Sequence, residues 1–508
     1  MAGLYLGMAR ARLGPAAALL DGLRGAVGAC EENRLTRARQ VATPGRPELA
    51  IAELLAFLHR SPGDIASVAV VTDDERVDWA QETSAVPVDG HRAHAAYAFH
   101  SSPFAEALVL VCEVHRPRGW TAWRFRTDRP PESVGEHIGA YPLARIYGQL
   151  AQALGFLPTR DEHLVEALAR AGRDTQLRIA DQIVSTSEGV RVSPTFGDDI
   201  RQLLGRGDVE QTKKDIAASV QRRLGECLTE LLTRLAGLRA MPPEPSALCV
   251  SGGLFFNTSF TTTAATCGAF SHVHVPAHPG RNGTAIGAAL VAGAADEIAP
   301  TEIGSPYLGP AYSDAHIKEV LDNCKLSYDL LREERLADEV LQALARGRLV
   351  GWFHGRLEWG PRALGHRSVL ADPLAPHTLD NLNGFLKRRP AYRSYGVSVP
   401  LAVVHEWFEG PAASPFMQFE YRPRDPVRFR TILPPGVERL RVHTVDDSQP
   451  RFLRLLTRWG QQSGMPVLVN TSFNGFHEPL VCSPRDAIRV FYGTGLDVLA
   501  LEDFVLRK

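Results

Sequence analysis

Positively charged side chains are concentrated in one short stretch of this 508-residue chain. Seven fixed cations lie between residues 356 and 393 and three carboxylates oppose them, so the local balance is +4 in a chain of net charge −1. The cations are Arg356, Arg362, Arg367, Lys387, Arg388, Arg389 and Arg393. Arginine binds phosphate and carboxylate bidentately, and lysine adds a compact point charge. The stretch therefore predicts a local anion-binding site.

Glycines are spaced regularly among the first of these cations. Gly355, Gly360 and Gly365 bracket Arg356 and Arg362. Glycine lets backbone N–H groups approach an anion closely, which favours phosphate binding here. A charged loop that faces solvent is the first alternative. Nucleic-acid binding is the second, although a patch of this size supports only weak, salt-sensitive binding.

A polar cluster directly follows an apolar strand that we predict at residues 466–470. Ligand-binding groups are expected at the carboxyl ends of strands in open α/β sheets. A turn without a ligand remains the alternative. The candidate nucleotide-binding residues here are Asn470, Thr471, Ser472 and Asn474.

Predicted strands and helices alternate along the chain, which indicates an α/β protein. The N-terminal residues predict a strand–turn–strand unit. Further strands are predicted at residues 65–72, 107–114, 247–250, 349–353 and 441–445. Helices are predicted at residues 48–60, 219–239, 282–294, 338–345 and 451–463, and after Ser483-Pro484. The small residues of the 282–294 helix predict tight packing on a sheet.

The composition is that of a globular protein without a dominant charge field. A hydrophobic fraction of 44% is ordinary for such proteins, and the net charge favours neither nucleic acid nor an anionic membrane. The seven cysteines are scattered without a Cys-x-x-Cys pair, which predicts reduced thiols in a cytoplasmic protein. No membrane span or targeting signal is predicted.

A segment rich in proline and glycine, residues 298–310, predicts a domain boundary. We accordingly expect an N-terminal domain at residues 1–305 and a C-terminal domain at residues 325–508.

Several long motifs resemble the O-carbamoyltransferase family of nodulation-factor and antibiotic biosynthesis. In the C-terminal half they are GRLEWGPRALGHRSVLADP, LKRRPAYRSY, RVHTV, PVLVNTSFN and EPLVCSPRDAIRVFYGTGLDVLAL. In the N-terminal half they are EENRLTR, HRAHAAYAFHSSPF, SGGLFFN, NGTAIGAA and SPYLGPAYS. The motifs occur in family order, so the resemblance covers essentially the whole chain.

The resemblance implies a YrdC-like C-terminal domain that forms carbamoyl adenylate from carbamoyl phosphate and ATP, with Mg²⁺. It implies an actin/hexokinase-like N-terminal domain, similar to threonylcarbamoyl transferases, that passes the carbamoyl group to a small-molecule acceptor with the help of a divalent metal, often iron. The implied phosphate-binding and catalytic residues are Lys387, Arg389, Arg356 and Arg362. The implied cofactor-binding residues are Arg367, Arg393, Ser472 and Asn474, to which we add Asn470 and Thr471.

The N-terminal half departs from the family at the implied metal ligands. Gly90 replaces a first histidine, while His94 matches the second. Glu113 stands for an aspartate, and Arg281 occupies a carboxylate position. The family's His-Asp-x-Ser element is also missing, since Arg12, Leu13 and Pro15 stand near its place. We therefore favour a metal-free N-terminal domain over an alternative site made by His91, His94, Glu113 and His278.

The C-terminal half departs more mildly, with Pro390, Ser394, Gly396 and His443 at positions usually held by other residues. Three functions remain open: an ATP-dependent carbamoyltransferase, a non-catalytic or half-active subunit assembled with an active homologue, and an RNA-linked role. The family motifs favour a small-molecule acceptor over RNA. Residues Glu31, Glu32, Arg34, Thr36 and Arg37 match a family motif that we place near the N-terminal site.

Overall fold

The computed structural model describes residues 3–10, 14–22, 25–38, 45–72, 85–114, 119–136, 142–237, 247–295 and 303–508. The chain divides into two compact units, with the main division between Ser305 and Pro306. Two short segments that begin at Cys30 and Ala52 belong to the second unit. Residues 306–324, which the sequence left between two predicted domains, belong there as well. Arg12, Leu13 and residues 298–302 of the predicted boundary lie outside the described residues.

The first unit contains two five-stranded sheets. The strands of the first are β1 (Leu4–Ala9), β2 (Ala16–Asp21), β3 (Gly25–Glu31), β4 (Ile65–Val71) and β5 (Val86–Val88), in the order β3-β2-β1-β4-β5. Those of the second are β6 (Glu106–Cys112), β7 (Trp120–Arg126), β8 (Arg129–Glu136), β11 (Ala247–Ser251) and β12 (His272–His274), in the order β12-β11-β6-β7-β8. A separate hairpin pairs β9 (Ile183–Thr186) with β10 (Gly189–Val192).

The two five-stranded sheets share one topology. In each, three sequential strands lie side by side, and two further strands run parallel from the first of them. The antiparallel pairing of β1 with β2 confirms the predicted strand–turn–strand start. This duplication fits the expected actin/hexokinase-like architecture.

Helices cover these sheets and form a largely helical region between β8 and β11. They are α3 (Gly90–His100), α4 (Leu143–Ala153), α5 (Glu162–Ala171), α6 (Leu177–Ala180), α7 (Phe196–Leu204), α8 (Val209–Gly237), α9 (Thr258–Thr266) and α10 (Thr284–Ala295). Before them in the chain, α1 (Glu32–Thr36) belongs to the second unit, and α2 (Glu48–Phe57) is divided between the two units. Asp89 caps α3 by accepting the backbone N–H of Arg92. The predicted tight packing of α10 on a sheet is confirmed, since a Cβ on Gly7 of β1 would lie 1.9 Å from the Ala285 carbonyl oxygen.

The second unit is built on one mixed ten-stranded sheet. Its strands are β13 (Asp329–Leu330), β14 (Val350–Phe353), β15 (Arg367–Ala371), β16 (Gly396–Pro400), β17 (Phe408–Glu409), β18 (Phe419–Pro423), β19 (Leu440–Val445), β20 (Leu468–Ser472), β21 (Val498–Leu501) and β22 (Phe504–Arg507). Their order is β13-β22-β21-β14-β15-β20-β16-β19-β18-β17. The helices are α11 (Asp314–Asn323), α12 (Glu333–Ala345), α13 (Thr378–Asn381), α14 (Val404–Trp407), α15 (Pro450–Ser463) and α16 (Pro484–Gly493).

One face of this sheet packs against α12 and α15. Trp352, Leu370 and Leu468 point to that face, where they meet Phe452 and Leu456 of α15 in a single buried core. Successive side chains of a strand alternate between faces. The residues two and four positions beyond these core residues therefore continue the same face towards the polar end of the sheet.

The described residues contain no helix that is both long and apolar enough to cross a membrane.

Candidate functional site

Lys387 joins two sequence motifs that lie 85 residues apart. It ends a π-helical turn, Leu382–Lys387, and only 9% of its surface is exposed. Its ammonium group donates to the Ser472 carbonyl oxygen and lies 3.3 Å from Ser472 Oγ. It also donates to the Asn474 carbonyl oxygen at 3.1 Å and to Asn474 Oδ1 at 2.5 Å. Lys387 thus meets Ser472 and Asn474, the two residues that the family resemblance places with it in one site.

Lys387 has neutral partners and cationic neighbours. Burial lowers the pKa of Lys387 well below its usual value, and the charges of Arg389 and Arg393 lower it further. The guanidinium of Arg389 lies 3.6 Å from the centre of the Tyr395 ring and donates to the Ser394 carbonyl oxygen at 3.4 Å. Three cations therefore lie close together, an arrangement that a bound phosphate would relieve.

The alternation of side chains along β20 determines which of its predicted site residues share a face of the sheet. Leu468 points into the α15 core, so Asn470 and Ser472 lie on that face and Thr471 lies on the opposite one. Asn470 is buried, while Ser472 is half-exposed beside Lys387. The structure therefore places Ser472 and Asn474 at the Lys387 site, Asn470 two residues further along the same face, and Thr471 on the opposite face.

The glycine-rich loop does bind an anion, but that anion is a side chain of the loop itself. Glu358 is 2% exposed, and its Oε1 accepts the backbone N–H groups of Leu364, His366 and Arg367 at 2.8–2.9 Å. Gly360 and Gly365, with φ of 122° and 91°, supply turns that disfavour other residues. Sequence reasoning counted Glu358 only as an opposing charge, whereas its carboxylate organises the loop.

Two of the predicted phosphate-binding arginines do not join the Lys387 site. Arg367 is fully buried, 3.4 Å from the centre of the Phe353 ring, and donates to the His354 and His366 carbonyl oxygens. Ser368 pairs with Ser472 across β15 and β20, so the side chain of the neighbouring Arg367 points to the opposite face of the sheet. Arg356 donates to the Leu308 and Gly309 carbonyl oxygens. Arg362 is half-exposed in the loop.

Replacement of Arg356 is expected to affect folding rather than phosphate binding. Arg356→Met removes hydrogen bonds of 2.6 and 3.0 Å to backbone carbonyls, which should cost about 2 kcal/mol of unfolding free energy. Urea denaturation measures that loss, and the affinity of the protein for inorganic phosphate should stay at the parent value. A large loss of phosphate affinity with unchanged stability would return Arg356 to the phosphate site.

The N-terminal motif containing Arg34 and Arg37 lies in the second unit. Arg34 donates to the Gly360 carbonyl oxygen at 3.1 Å, and Arg37 donates to the Leu480 carbonyl oxygen at 2.6 Å. Arg37 also pairs with Asp486, the residue that closes the capping box of α16. This motif therefore supports the glycine loop and the segment after Asn474. The expectation from the sequence that it lies near the N-terminal site is wrong.

In the first unit, two of the proposed metal ligands meet. His94 Nε2 lies 3.2 Å from Glu113 Oε1, and His94 Nδ1 lies 3.0 Å from Ser251 Oγ. Glu113 Oε1 also accepts the backbone N–H of Gly253 at 2.7 Å. His91 instead lies with Nδ1 2.9 Å from Thr121 Oγ1. The structure therefore brings His94 and Glu113 together, while His91 contacts Thr121.

These residues do not fit a complete divalent-metal centre. Catalytic sites usually need three protein ligands, and the described part of the chain contains no group of three His, Cys, Asp or Glu side chains able to hold a metal. The fourth candidate, His278, is buried beside the Phe256 ring at 5.6 Å. Gly90 and Arg281 supply no donor of the required kind.

We therefore expect the purified protein to carry well below one iron or zinc per chain. Elemental analysis measures this directly. Addition of Fe²⁺, Mn²⁺ or Zn²⁺ should leave the melting temperature unchanged, because the described residues offer no three-ligand site that a metal could stabilise. Stoichiometric metal that survives gel filtration would contradict the expectation.

Comparison with known proteins agrees with this two-part organisation. Residues 67–290 match the family model described as Carbamoyltransferase N-terminus, and residues 341–508 match Carbamoyltransferase C-terminus. The chain is 32% identical to nodulation protein NolO of Bradyrhizobium diazoefficiens over 82% of its own length and 78% of that protein. The chain belongs to the carbamoyltransferase family. This confirms the resemblance stated from the motifs.

One relative of this carbamoyltransferase is named for its activity. The chain is 32% identical to the 3'-hydroxymethylcephem-O-carbamoyltransferase of Amycolatopsis lactamdurans over 59% of this chain and 55% of that one. Among solved structures, HypF of T. kodakarensis aligns with a TM-score of 0.38 at 15% identity, over 59% of this chain and 48% of that one.

Sequence reasoning missed a buried polar group in this carbamoyltransferase. Ser398 and His443 face each other across β16 and β19, on the same sheet face as Asn470. The histidine had been noted only as a replacement for a usual glutamine. The available signal was its place in the predicted strand 441–445, two residues before the core residue Val445.

Proposed function

We propose that the second unit of this carbamoyltransferase is a YrdC-like domain that forms carbamoyl adenylate at the Lys387 site. Carbamoyl phosphate, ATP and one water give carbamoyl adenylate, phosphate and pyrophosphate. Carbamate released from phosphate attacks the α-phosphorus of ATP, so that a new C–O–P linkage forms as the bond to pyrophosphate breaks. Mg²⁺ accompanies ATP as its counter-ion.

The observation that carries the proposal is the contact of Lys387 with Ser472 and Asn474, beside Arg389 and Arg393. Phosphoryl and adenylyl transfer need fixed positive charge more than covalent participation by the protein. Lys387 and Arg389 would hold the phosphates, while Ser472 and Asn474 would orient the nucleotide. No carboxylate hydrogen-bonds Lys387 among the described residues, so a bound phosphate would be the group that favours its charged form.

We further propose that the carbamoyl group passes to the hydroxyl of a small-molecule acceptor in secondary metabolism. The O-carbamoyltransferase activity for which the cephem relative is named supports transfer to oxygen, and the near-neutral chain gives no general attraction to nucleic acid. Cytoplasmic location is part of this proposal, because ATP and carbamoyl phosphate are cytoplasmic substrates.

A second candidate is a half-active subunit that works with a complete homologue. It is favoured by the first unit, where His94 and Glu113 meet and the part of the chain that the structure describes adds no third metal donor to them. Co-expression with a metal-binding homologue tests it. Carbamoyl adenylate formation by this chain alone, with transfer only in the mixture, would support this candidate.

The activity assay uses the full chain with ATP, Mg²⁺ and carbamoyl phosphate. Phosphate and pyrophosphate should appear in equal amounts, and hydroxylamine should trap the carbamoyl group as hydroxyurea. Replacing carbamoyl phosphate by bicarbonate and threonine tests the RNA-linked alternative. Absence of carbamoyl-phosphate-dependent pyrophosphate would refute the proposal.

A further inference from the structure

A chain of buried polar side chains extends from the Lys387 site along the same face of the sheet. Asn470, Ser398, His443 and Gln449 are 2%, 0%, 0% and 7% exposed. Asn470 Nδ2 donates to Ser398 Oγ at 2.9 Å, and Ser398 Oγ lies 3.0 Å from His443 Nδ1. Gln449 Nε2 lies 3.4 Å from His443 Nε2. We call these four residues the amide chain.

The amide of Asn470 has one possible orientation, and this leaves its oxygen without a partner. Its nitrogen donates to the Ala363 carbonyl oxygen at 3.1 Å as well as to Ser398. Because a backbone carbonyl can only accept, a flipped amide would set oxygen against oxygen. Asn470 Oδ1 is nevertheless buried without a hydrogen-bond donor among the described residues. A buried acceptor in this state calls for a missing donor.

Gln449 supplies a second unsatisfied amide atom. Its Oε1 is also buried without a donor in the described part of the chain. If the amide is flipped, Oε1 can accept from the His443 ring and the amide nitrogen is left instead. Burial lowers the pKa of His443 to about 3, so the ring is neutral at physiological pH. The amide chain therefore suits an uncharged polar group rather than a second phosphate.

We propose that the amide chain is the subsite for the carbamoyl group, with Asn470 Oδ1 accepting a hydrogen bond from its –NH₂. This inference rests on the proposed function. Asn470 and Ser472 are alternate residues of β20, so their side chains start roughly 7 Å apart on one face. A small molecule with an amide at one end and a phosphate at the other spans that interval. The subsite then selects carbamoyl phosphate over other acyl phosphates.

Gly396 and Met417 define how this subsite is covered. Gly396 lies directly opposite Asn470 in the strand register and is half-exposed. A Cβ on Gly396 would lie 2.5 Å from the sulfur of Met417, so the thioether fills the space above the strand. Methionine changes rotamer readily. The group that covers the amide chain at this point is therefore one that a ligand can displace.

Acetyl phosphate is the probe, because a methyl group replaces the –NH₂ of carbamoyl phosphate. The wild type should bind acetyl phosphate at least about tenfold more weakly than carbamoyl phosphate, since the methyl group cannot satisfy Asn470 Oδ1. Asn470→Ala should raise the KM for carbamoyl phosphate by about 10–100-fold and bring the affinity ratio towards one. The KM for ATP should change by less than about threefold. The matched control is Gln461→Ala, which removes an exposed side-chain amide from α15.

Equal affinity of the wild type for the two acyl phosphates would overturn the inference. An unchanged affinity ratio in folded Asn470→Ala would do the same. If Asn470→Ala does not fold, the inference is tested by the ratio of the affinities for the two acyl phosphates, measured in the wild type and in Gln449→Met. Pyrophosphate release without discrimination would refute the subsite alone, whereas failure of the wild type to bind carbamoyl phosphate in calorimetry would refute the proposed function with it.

Discussion

Lys387→Gln is expected to lose about 10²–10³-fold in kcat/KM for carbamoyl-phosphate-dependent pyrophosphate release. Glutamine preserves hydrogen-bond donors near Ser472 and Asn474 but removes the positive charge. Because Arg389 and Arg393 also surround the site, the remaining rate measures what they supply. Steady-state kinetics with both substrates varied in turn gives the loss.

Arg388 provides the matched control. It carries the same charge in the neighbouring position, but its side chain is exposed and its backbone adopts φ 45° after the π-helical turn. Arg388→Gln removes one cation from the same loop and should change kcat/KM by less than about threefold, since exposed charges act through screened solvent. Equal losses in the two variants would show that overall loop charge, rather than the buried ammonium group, drives catalysis.

Glu358→Ala is expected to cost about 3 kcal/mol of unfolding free energy and most of the activity. The carboxylate accepts three backbone N–H groups of the glycine loop, and hydrogen bonds to charged acceptors are worth more than neutral ones. Its loss leaves three backbone N–H groups without their acceptor in a largely buried loop, where Leu364 and Arg367 are 1% and 0% exposed. The loop must therefore reorganise. Urea denaturation followed by tryptophan fluorescence measures the stability.

Glu438→Ala is the control for Glu358. This carboxylate pairs with Arg422 at the surface, where 72% of its side chain is exposed. Such pairs contribute at most about 1 kcal/mol, so the control should remain close to the parent. A Glu358→Ala protein as stable as this control would contradict the role assigned to the buried carboxylate.

Local sequence patterns predicted the elements better than their ends. The helix predicted at residues 219–239 is the second part of α8, which begins at Val209. The prediction missed the first turns of α8 because they carry few apolar residues. The helix predicted from residue 338 begins at Glu333. The strand predicted at 466–470 occupies Leu468–Ser472. That shift of two residues preserves the alternation of faces, so the relation of Asn470 to Ser472 was already present in the sequence.

Contacts between distant residues set the limit of prediction at the site. Arg356, Arg367 and Lys387 look equivalent in sequence, since each is a cation within two residues of a glycine or an aromatic residue. Their roles differ because Arg356 meets backbone carbonyls and Arg367 lies against Phe353, while Lys387 reaches Ser472. Only the family resemblance linked Lys387 to Ser472 before the structure did. Glu358 could not be assigned, because its partners are backbone N–H groups that the sequence does not distinguish.

The most direct test of the central claim is exchange of labelled pyrophosphate into ATP by the purified full chain. Carbamoyl adenylate formation is reversible at its second step, so bound intermediate and pyrophosphate should regenerate ATP. We predict exchange that requires carbamoyl phosphate and Mg²⁺, persists without any acceptor and disappears in Lys387→Gln. Absence of exchange in the wild type, or exchange of equal rate in Lys387→Gln, would contradict the account.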